Sequence, residues 1–491
     1  MKISLHGNMF IITLIMILTI IGCGQSKKLS EHKRKPNVLF IAIDDLRPEL
    51  GCYGHNIVQS PNIDRLAKEG VLFNRAYCQQ AVCSPSRTSL MTGLRPNTTK
   101  VWDLQTHFRT TIPTVVTLPQ YFKKNGYYTQ SVGKIYHDPK SAQDSLSWTA
   151  NEILAETTKR GKYVLASNLK IKSAKAAAIE LADVPDNAYI DGQVADRAVQ
   201  ELNKIKDKPF FLAVGFRRPH LPFSAPKKYW DIYDREDITL PTQKTVPQNT
   251  PVYATHQNQE LRGYSDIGFD NQIQDAKIQE LIHGYYAAIS YTDAQIGKIL
   301  AELDRLNLTE NTIIVLWSDH GFHLGEKGLW AKSTNYELDT RVPLIISAPG
   351  KKKNVVSNGL VELVDLYPTL VELGGMKIPD SLEGTSLVPL LTKPEQSWKT
   401  AAFSQFPRPW IYKDSPELMG YAMRTDHYRL IEWRDFKTGT ITATELYNVQ
   451  DDPTELNNIA DLPKNELLIK ELKLKLNDGW QKALPDFHHN D

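Results

Sequence analysis

Five apolar runs, at residues 37–43, 128–132, 210–216, 312–317 and 343–348, constrain this chain more than any other feature, because the first four are each followed at once by charged or imidazole side chains. A run without polar alternation reads as a strand buried on both faces, and such strands belong to largely parallel sheets covered by helices. The segments between them fit that picture. Ser60-Pro61 opens a helix through Lys68 with Gly70 as its stop, and residues 188–205 and 279–303 carry longer helical patterns. The expected fold is an α/β sandwich built on a mostly parallel sheet.

Chemistry collects where the runs stop. Asp44-Asp45 follow the first, Lys134 and His137 the second, His220 the third and Asp319-His320 the fourth. Ligands of open α/β sheets bind outside the carboxyl ends of the strands, so groups hundreds of residues apart can meet there. Two carboxylates ending one strand, matched by Asp319-His320 ending another, suit a hard cation that takes oxygen ligands, calcium or magnesium. A ring nitrogen is more typical of transition-metal sites, which leaves the metal's identity open. Taken singly, these residues read as turn caps, solvated lysines or packing histidines; their shared place at strand ends makes them a candidate site.

The chain has 491 residues and 41% hydrophobic side chains, enough for a sizeable core and two to three domain-sized units. Its formal net charge of +2 gives no global basic field, so no nucleic-acid partner is expected and an anionic ligand must be gripped locally.

The stretch Cys83-Ser-Pro-Ser-Arg-Thr-Ser-Leu-Met-Thr-Gly93 places a cysteine at the start of a helix. Pro85 fits a first turn, Ser84 or Ser86 can cap, and the free backbone N–H groups favour an anion. The string resembles the C-x-P-S-R-x-x-x-[LM]-T-G signature of type I sulfatases, with every fixed position present. The resemblance implies an alkaline-phosphatase-like sandwich, with a large mixed, mostly parallel sheet between helices and a smaller C-terminal subdomain with an antiparallel sheet. It also implies that Cys83 is oxidised to formylglycine by a partner, a formylglycine-generating or anaerobic sulfatase-maturating enzyme. A divalent ion, calcium before magnesium, would be held by Asp44, Asp45, residue 83, Asp319 and His320. Many members carry Asn where this chain has His320. That departure, with Gly133-Lys134-Ile135-Tyr136-His137, Arg217-Arg218-Pro219-His220 and Leu329-Trp330-Ala331-Lys332, looks like the iduronate-2-sulfatase branch.

In the mechanism so implied, a hydroxyl of hydrated formylglycine attacks sulfur while Asp319 accepts its proton. Arg87 steadies the hydrate, Lys134 and Lys332 neutralise sulfate oxygens, His220 protonates the leaving sugar oxygen, and His137 assists release of sulfate. The implied substrate is a sulfated oligosaccharide or polysaccharide, attacked exo. It is either a uronic acid 2-O-sulfate of a glycosaminoglycan or a sulfated sugar of an algal polysaccharide such as ulvan. Trp102, Trp330, Arg217 and Arg218 either shape sugar subsites or simply pack. Two other classes stay open: a phosphatase or phosphonate hydrolase of the alkaline phosphatase superfamily, against which Cys83 speaks, and a non-catalytic glycan-binding surface lipoprotein.

Residues 1–22 read as a signal peptide, because the apolar run 9–21 is too short for a confident membrane span. Ile20-Ile21-Gly22-Cys23 resembles a bacterial lipobox, which implies lipidation of Cys23, a polar tether over 23–35, and membrane contact through the lipid anchor only, at the cell surface or in the periplasm; ordinary cleavage and secretion is the other reading. Cys52 and Cys78 then remain as one bridge or two reduced thiols. A catalytic domain is expected over 36–375 and a C-terminal subdomain over 376–491, with strand-like 421–424 and 428–433 and a terminal helix over 462–483. Glu445-Leu446-Tyr447-Asn448 and the segment 451–458 resemble a C-terminal sulfatase element and read as a packed cap and turn.

Overall fold

The computed structural model describes residues 34–139, 142–173, 175–268 and 272–485. The lipobox cysteine, Cys23, lies outside the described residues, and so does the signal segment. Among the described residues no helix is long and apolar enough to cross a membrane.

The core of the unit spanning Pro36–Asp491 is an eight-stranded mixed sheet. Four strands run parallel side by side: Tyr128–Gly133, Phe210–Phe216, Asn37–Ile43 and Thr312–Ser318. These are the first four apolar runs, and alternate residues of each serve opposite faces. Leu39, Ile41 and Ile43 enter one apolar cluster with the helices Ile190–Ile205 and Asp275–Arg305, while Val38, Phe40 and Ala42 enter the other with the helix Leu366–Leu373. Each fully buried Leu, Ile or Phe contributes about 1.5–3 kcal/mol by leaving water, so burial on both faces strongly fixes these strands in place.

The fifth run forms the strand Leu344–Ser347, but it lies antiparallel to Thr312–Ser318 instead of extending the parallel set. Its other neighbour is Val71–Tyr77, a strand whose polar Asn74-Arg75 centre hides it from a search for apolar runs. Val71–Tyr77 is in turn parallel to Val355–Glu362. The sheet is therefore mixed and mostly parallel. A second sheet of four antiparallel strands follows: Ala402–Arg408, Leu418–Arg424, Tyr428–Asp435 and Ile441–Asn448. The helix Glu466–Asp478 packs Leu472 and Leu476 against it, through Met423, Leu430 and Leu446. The segment Glu445 to Asn448, read as a cap and turn, belongs to the last strand of this sheet; its alternation is masked because Glu445 is buried among the hydroxyls of Thr250, Tyr336 and Tyr447. Cys52 and Cys78 are both free thiols, which removes the bridge as an option.

Strand register sets the site. Ile43 pairs with both Phe216 and Ser318, and Gly133 pairs with Gly215, so all four parallel strands end at one level. Two glycines allow the close approach there. A Cβ on Gly215 would lie 1.9 Å from the Lys134 carbonyl oxygen, and one on Gly133 (φ 82°) would lie 2.0 Å from the Gly215 oxygen. Gly215→Ala should therefore destabilise the fold by at least about 3 kcal/mol, measured by urea unfolding, because the obstructing atoms are backbone. Unfolding at the wild-type urea midpoint would contradict this reading.

Candidate active site

The turn after Asn37–Ile43 carries Asp44 and Asp45, both buried, with Asp45 in the left-handed region at φ 63°. Asp is one of the few residues that tolerates this conformation, and two hydrogen bonds hold the turn. The Asp45 N–H donates to Asp319 Oδ1 at 3.2 Å, and the Tyr285 hydroxyl, from the helix Asp275–Arg305, donates to the Asp45 carbonyl at 2.8 Å.

Cys83 opens the helix Cys83–Thr92, which ends on Gly93 at φ 69°. The expected serine cap is absent: Val82 occupies the cap position without a side-chain bond, and the Ser86 hydroxyl instead donates to the Asp319 carbonyl at 2.5 Å. Ser86 thus ties the helix to the neighbouring strand end, a tertiary demand that overrides capping. One turn along, the buried Arg87 guanidinium donates Nε to Asp319 Oδ2 at 2.8 Å, Nη2 to Asp44 Oδ1 at 2.9 Å, and Nη1 to the carbonyls of Lys134 and Ile135 at 2.9 Å each.

Around the Cys83 sulfur stand Lys134 Nζ at 3.8 Å and His320 Nε2 at 3.4 Å. Lys134 also grips Asp44 Oδ2. His320 donates Nδ1–H to the Gly321 carbonyl at 3.0 Å, so its Nε2 lone pair faces Cys83, Asp45 and Asp319. Lys332 sits between two positive-φ residues, Ala331 and Ser333, and its Nζ lies 2.8 Å from Asp45 Oδ2 and 2.9 Å from Glu260 Oε1. His220 points Nε2 toward Glu260 Oε1 at 3.3 Å and Asp45 Oδ2 at 3.9 Å, while Nδ1 donates to the Leu221 carbonyl at 2.6 Å. His137 follows Lys134 on the same loop, half-buried, with Nδ1 lacking a hydrogen-bond partner among the described residues.

Of the ten candidate residues from the described chain, nine are linked by these contacts. His137 stands beside them, within the electrostatic reach of Lys134 and Asp44. The sequence reading missed Glu260, which lies in the short helix Gln259–Arg262 and carries no motif to announce it. Arg217, Arg218 and Trp330 are buried packing residues: Arg217 bonds the carbonyls of Leu154 and Ala155, and Arg218 bonds Ser224. Trp102 remains partly exposed.

Three buried carboxylates, Asp44, Asp45 and Asp319, face three buried cations, Arg87, Lys134 and Lys332. Burial alone would raise Asp44, but the charges of Lys134 and Arg87 outweigh it and hold the carboxyl well below its usual range. Asp45 goes the other way. Burial, with repulsion from Asp44, Glu260 and Asp319, overcomes Lys332 and pushes it well up. Crowded oxygen donors that repel one another are what a divalent cation relieves. Ligand atoms of Asp44, Asp45, Cys83 and His220 lie within 4.8 Å of one another, as do those of Cys83, Asp319 and His320. The two sets share residue 83, and their carboxylate and imidazole donors fit a divalent metal, for which Asp44, Asp45, Asp319, His320 and His220 are the candidate holders. Burial, reinforced by Asp44 and Asp319, also pushes the Cys83 thiol well up despite Lys134. A neutral thiol is a poor nucleophile.

Comparisons with known proteins identify the family. The model of the family named Sulfatase matches residues 36–376, and that of the N-sulphoglucosamine sulphohydrolase C-terminal region matches 325–482. Iduronate 2-sulfatase of Mus musculus is 35% identical over 89% of this chain and 93% of its own length. A sulfatase of Formosa agariphila is 31% identical over 95% and 92%, and an ulvan-active sulfatase of the same organism 30% over 98% and 88%. Among solved structures, a protein in complex with its substrate D-glucosamine-2-N,6-O-disulfate superposes at TM-score 0.73 with 23% identity, covering 93% of this chain and 99% of that one. A phosphonate monoester hydrolase of Silicibacter pomeroyi superposes at 0.75 with 23% identity, covering 91% and 96%, so this fold also serves phosphonate chemistry. The chain belongs to the sulfatase family and is an enzyme that hydrolyses sulfate esters.

Burial and the neighbouring Lys134 lower His137 to about 3 from its ordinary 6.5. Between those values the unfolded chain binds a proton that the folded chain refuses, so stability falls as pH drops from 6.5 toward 3. His137→Gln should flatten the decline of Tm over the upper part of that window. A slope identical to wild type would show that His137 is not held neutral.

Proposed function

We propose that this chain removes O-sulfate from a sulfated glycan, acting exo, with Cys83 matured to formylglycine and calcium as its divalent metal. One observation carries the reading: residue 83 sits at a helix start, where a thiol would stay neutral and inert, yet within bonding distance of cationic and imidazole groups suited to a sulfate ester. Relatives named iduronate 2-sulfatase and ulvan-active sulfatase support a glycan substrate, either a uronic acid 2-O-sulfate or a sulfated algal sugar. Matured and hydrated, residue 83 would supply the attacking oxygen, and a divalent cation held by the neighbouring carboxylates would supply Lewis-acid stabilisation of the sulfate charge.

The remaining work falls to the chain's own side chains. Lys134 and Lys332 are positioned to neutralise sulfate oxygens as negative charge moves toward the leaving group. Arg87 and Ser86 fix the Asp319 carboxylate and backbone, so that a proton acceptor stands beside residue 83 without reorganising. His137, neutral over the physiological range, is a second base in the same pocket.

His220 is the acid in this reading. Burial and Lys332 hold it neutral, and its Nδ1–H is committed to Leu221, so Nε2 is the atom that must carry the proton. The negative charge of an arriving sulfate ester favours that protonation, and Glu260, held ionised to about 2 by Lys332 and His220 against burial, favours it further. The proposal extends to export as a lipid-anchored protein through Cys23, from the lipobox-like Ile20-Ile21-Gly22-Cys23.

His220→Ala should lower kcat by roughly 10²- to 10⁴-fold on a sugar sulfate, whose leaving oxygen needs a proton, and far less on an aryl sulfate with a good leaving group. Equal losses on both would remove His220 as the acid. Sulfate release from defined glycosaminoglycan disaccharides and ulvan oligosaccharides, with a phosphonate monoester alongside, tests the substrate. Turnover of the phosphonate alone would overturn the glycan sulfatase reading.

A further inference from the structure

One carboxylate at the sulfate site is neither buried with the others nor used by the reaction. The Asp45 and Lys332 side chains are 0% and 4% exposed, whereas the two side chains packed against them, His220 and Glu260, are each 24% exposed and meet at 3.3 Å. A sugar that reaches His220 Nε2 from solvent therefore arrives beside the Glu260 carboxylate.

Three contacts fix Glu260 in that place. Asn258, at φ 57°, accepts from the Trp330 N–H at 2.8 Å and donates Nδ2 to the Gly328 carbonyl at 2.8 Å, which ties the short helix Gln259–Arg262 to the strand Trp330–Ala331 that leads into Lys332. Leu261 is fully buried in the apolar core, and Lys175 donates Nζ to the Glu260 carbonyl at 3.0 Å. A side chain on so constrained a backbone has a set direction.

Only one of its oxygens is engaged. Oε1 accepts from Lys332 at 2.9 Å and faces His220 Nε2, while Oε2 is open to solvent and has no hydrogen-bond partner among the described residues. Lys332 already holds both oxygens of Asp45, at 2.8 and 3.1 Å, so it does not need Glu260 to be satisfied. What Glu260 adds is a free anionic acceptor at the point where the sugar enters.

The position of the leaving oxygen says what that acceptor meets. Protonation by His220 requires the oxygen to lie about 2.6–3.2 Å from Nε2. A substituent on the adjacent ring carbon stands about one further hydrogen-bond length away, within reach of the carboxylate beside His220. A hydroxyl there donates to a carboxylate, in a charge-assisted bond, whereas a second sulfate brings only acceptors and negative charge.

We propose that Glu260 determines which sugars are desulfated: Oε2 accepts a hydrogen bond from a free hydroxyl on the carbon next to the sulfated one, and the carboxylate rejects units sulfated at both positions. The substrate class is then a sugar with one sulfate ester beside a free hydroxyl. This assignment rests on the glycan reading of the site and on His220 as the acid.

The test measures sulfate release by the matured full-length enzyme from the methyl glycosides of iduronic acid 2-sulfate and rhamnose 3-sulfate. Each is compared with analogues that lack a hydroxyl vicinal to the ester or carry a sulfate in its place. On the sugar that is turned over, either change should lower kcat/KM by at least about tenfold. In Glu260→Ala the loss on deoxygenation should shrink to within about twofold, because the acceptor is gone. In Glu260→Gln, which keeps the shape without the charge, the penalty for vicinal sulfate should fall by at least about tenfold. A merely structural role would lower turnover of every substrate together, 4-nitrophenyl sulfate included, and leave these ratios at their wild-type values, which would overturn the proposal. Indifference of the wild type to the vicinal hydroxyl would overturn it too. Turnover of 4-nitrophenyl sulfate with no release from any sugar would instead sink the glycan reading, and this assignment with it, an outcome distinct from sugar desulfation with unchanged ratios.

Discussion

One buried guanidinium organises the molecule's working end. Arg87 reaches from the second turn of a helix to the Asp44 and Asp319 carboxylates and the carbonyls after the strand Tyr128–Gly133, so the exits of three parallel strands are bonded to a single side chain. A charge removed from water is costly unless its partners satisfy it, and removing one partner of such a pair typically costs 3–5 kcal/mol. Arg87 is 1% exposed with four hydrogen bonds to two anions and two carbonyls, which is the arrangement that makes its burial tolerable. The planar five-donor group matters: a lysine ammonium could not address four acceptors in fixed directions.

The chemistry follows from the same compensation. Lys134 and Arg87 hold the Asp44 carboxyl well below its usual range, while burial, with repulsion from Asp44, Glu260 and Asp319, pushes Asp45 well up despite Lys332. This imbalance is local, since the cluster as a whole pairs anions with cations. It coincides with the candidate metal-ligand sets and with a thiol at residue 83 that burial pushes well up. The fold alone does not choose the reaction, because phosphonate monoester hydrolases share it; the side chains at the strand ends do.

Much of this was legible in the sequence, for identifiable reasons. The four parallel strands are apolar on both faces, so their runs were visible, and Asp44, Lys134 and Asp319 stand out as the polar residues that end them. Val71–Tyr77 was hidden by Asn74 and Arg75, which are only half-buried, and the direction of Leu344–Ser347 could not be read because periodicity reports burial and not polarity of pairing. The serine caps failed because Ser86 serves a partner 233 positions away. Glu260 escaped because a carboxylate in a polar loop has no signature until tertiary contacts set it against Lys332 and His220.

The claim on which the rest turns is that the side chain at position 83 works only after conversion to an aldehyde. Preparing the protein with graded amounts of a maturation enzyme, and measuring by peptide mass spectrometry the fraction of residue 83 converted alongside the sulfate release rate of each preparation, tests it directly. The rate should rise in proportion to the converted fraction and extrapolate to zero at zero conversion. Full turnover by protein whose Cys83 is entirely unmodified would contradict it.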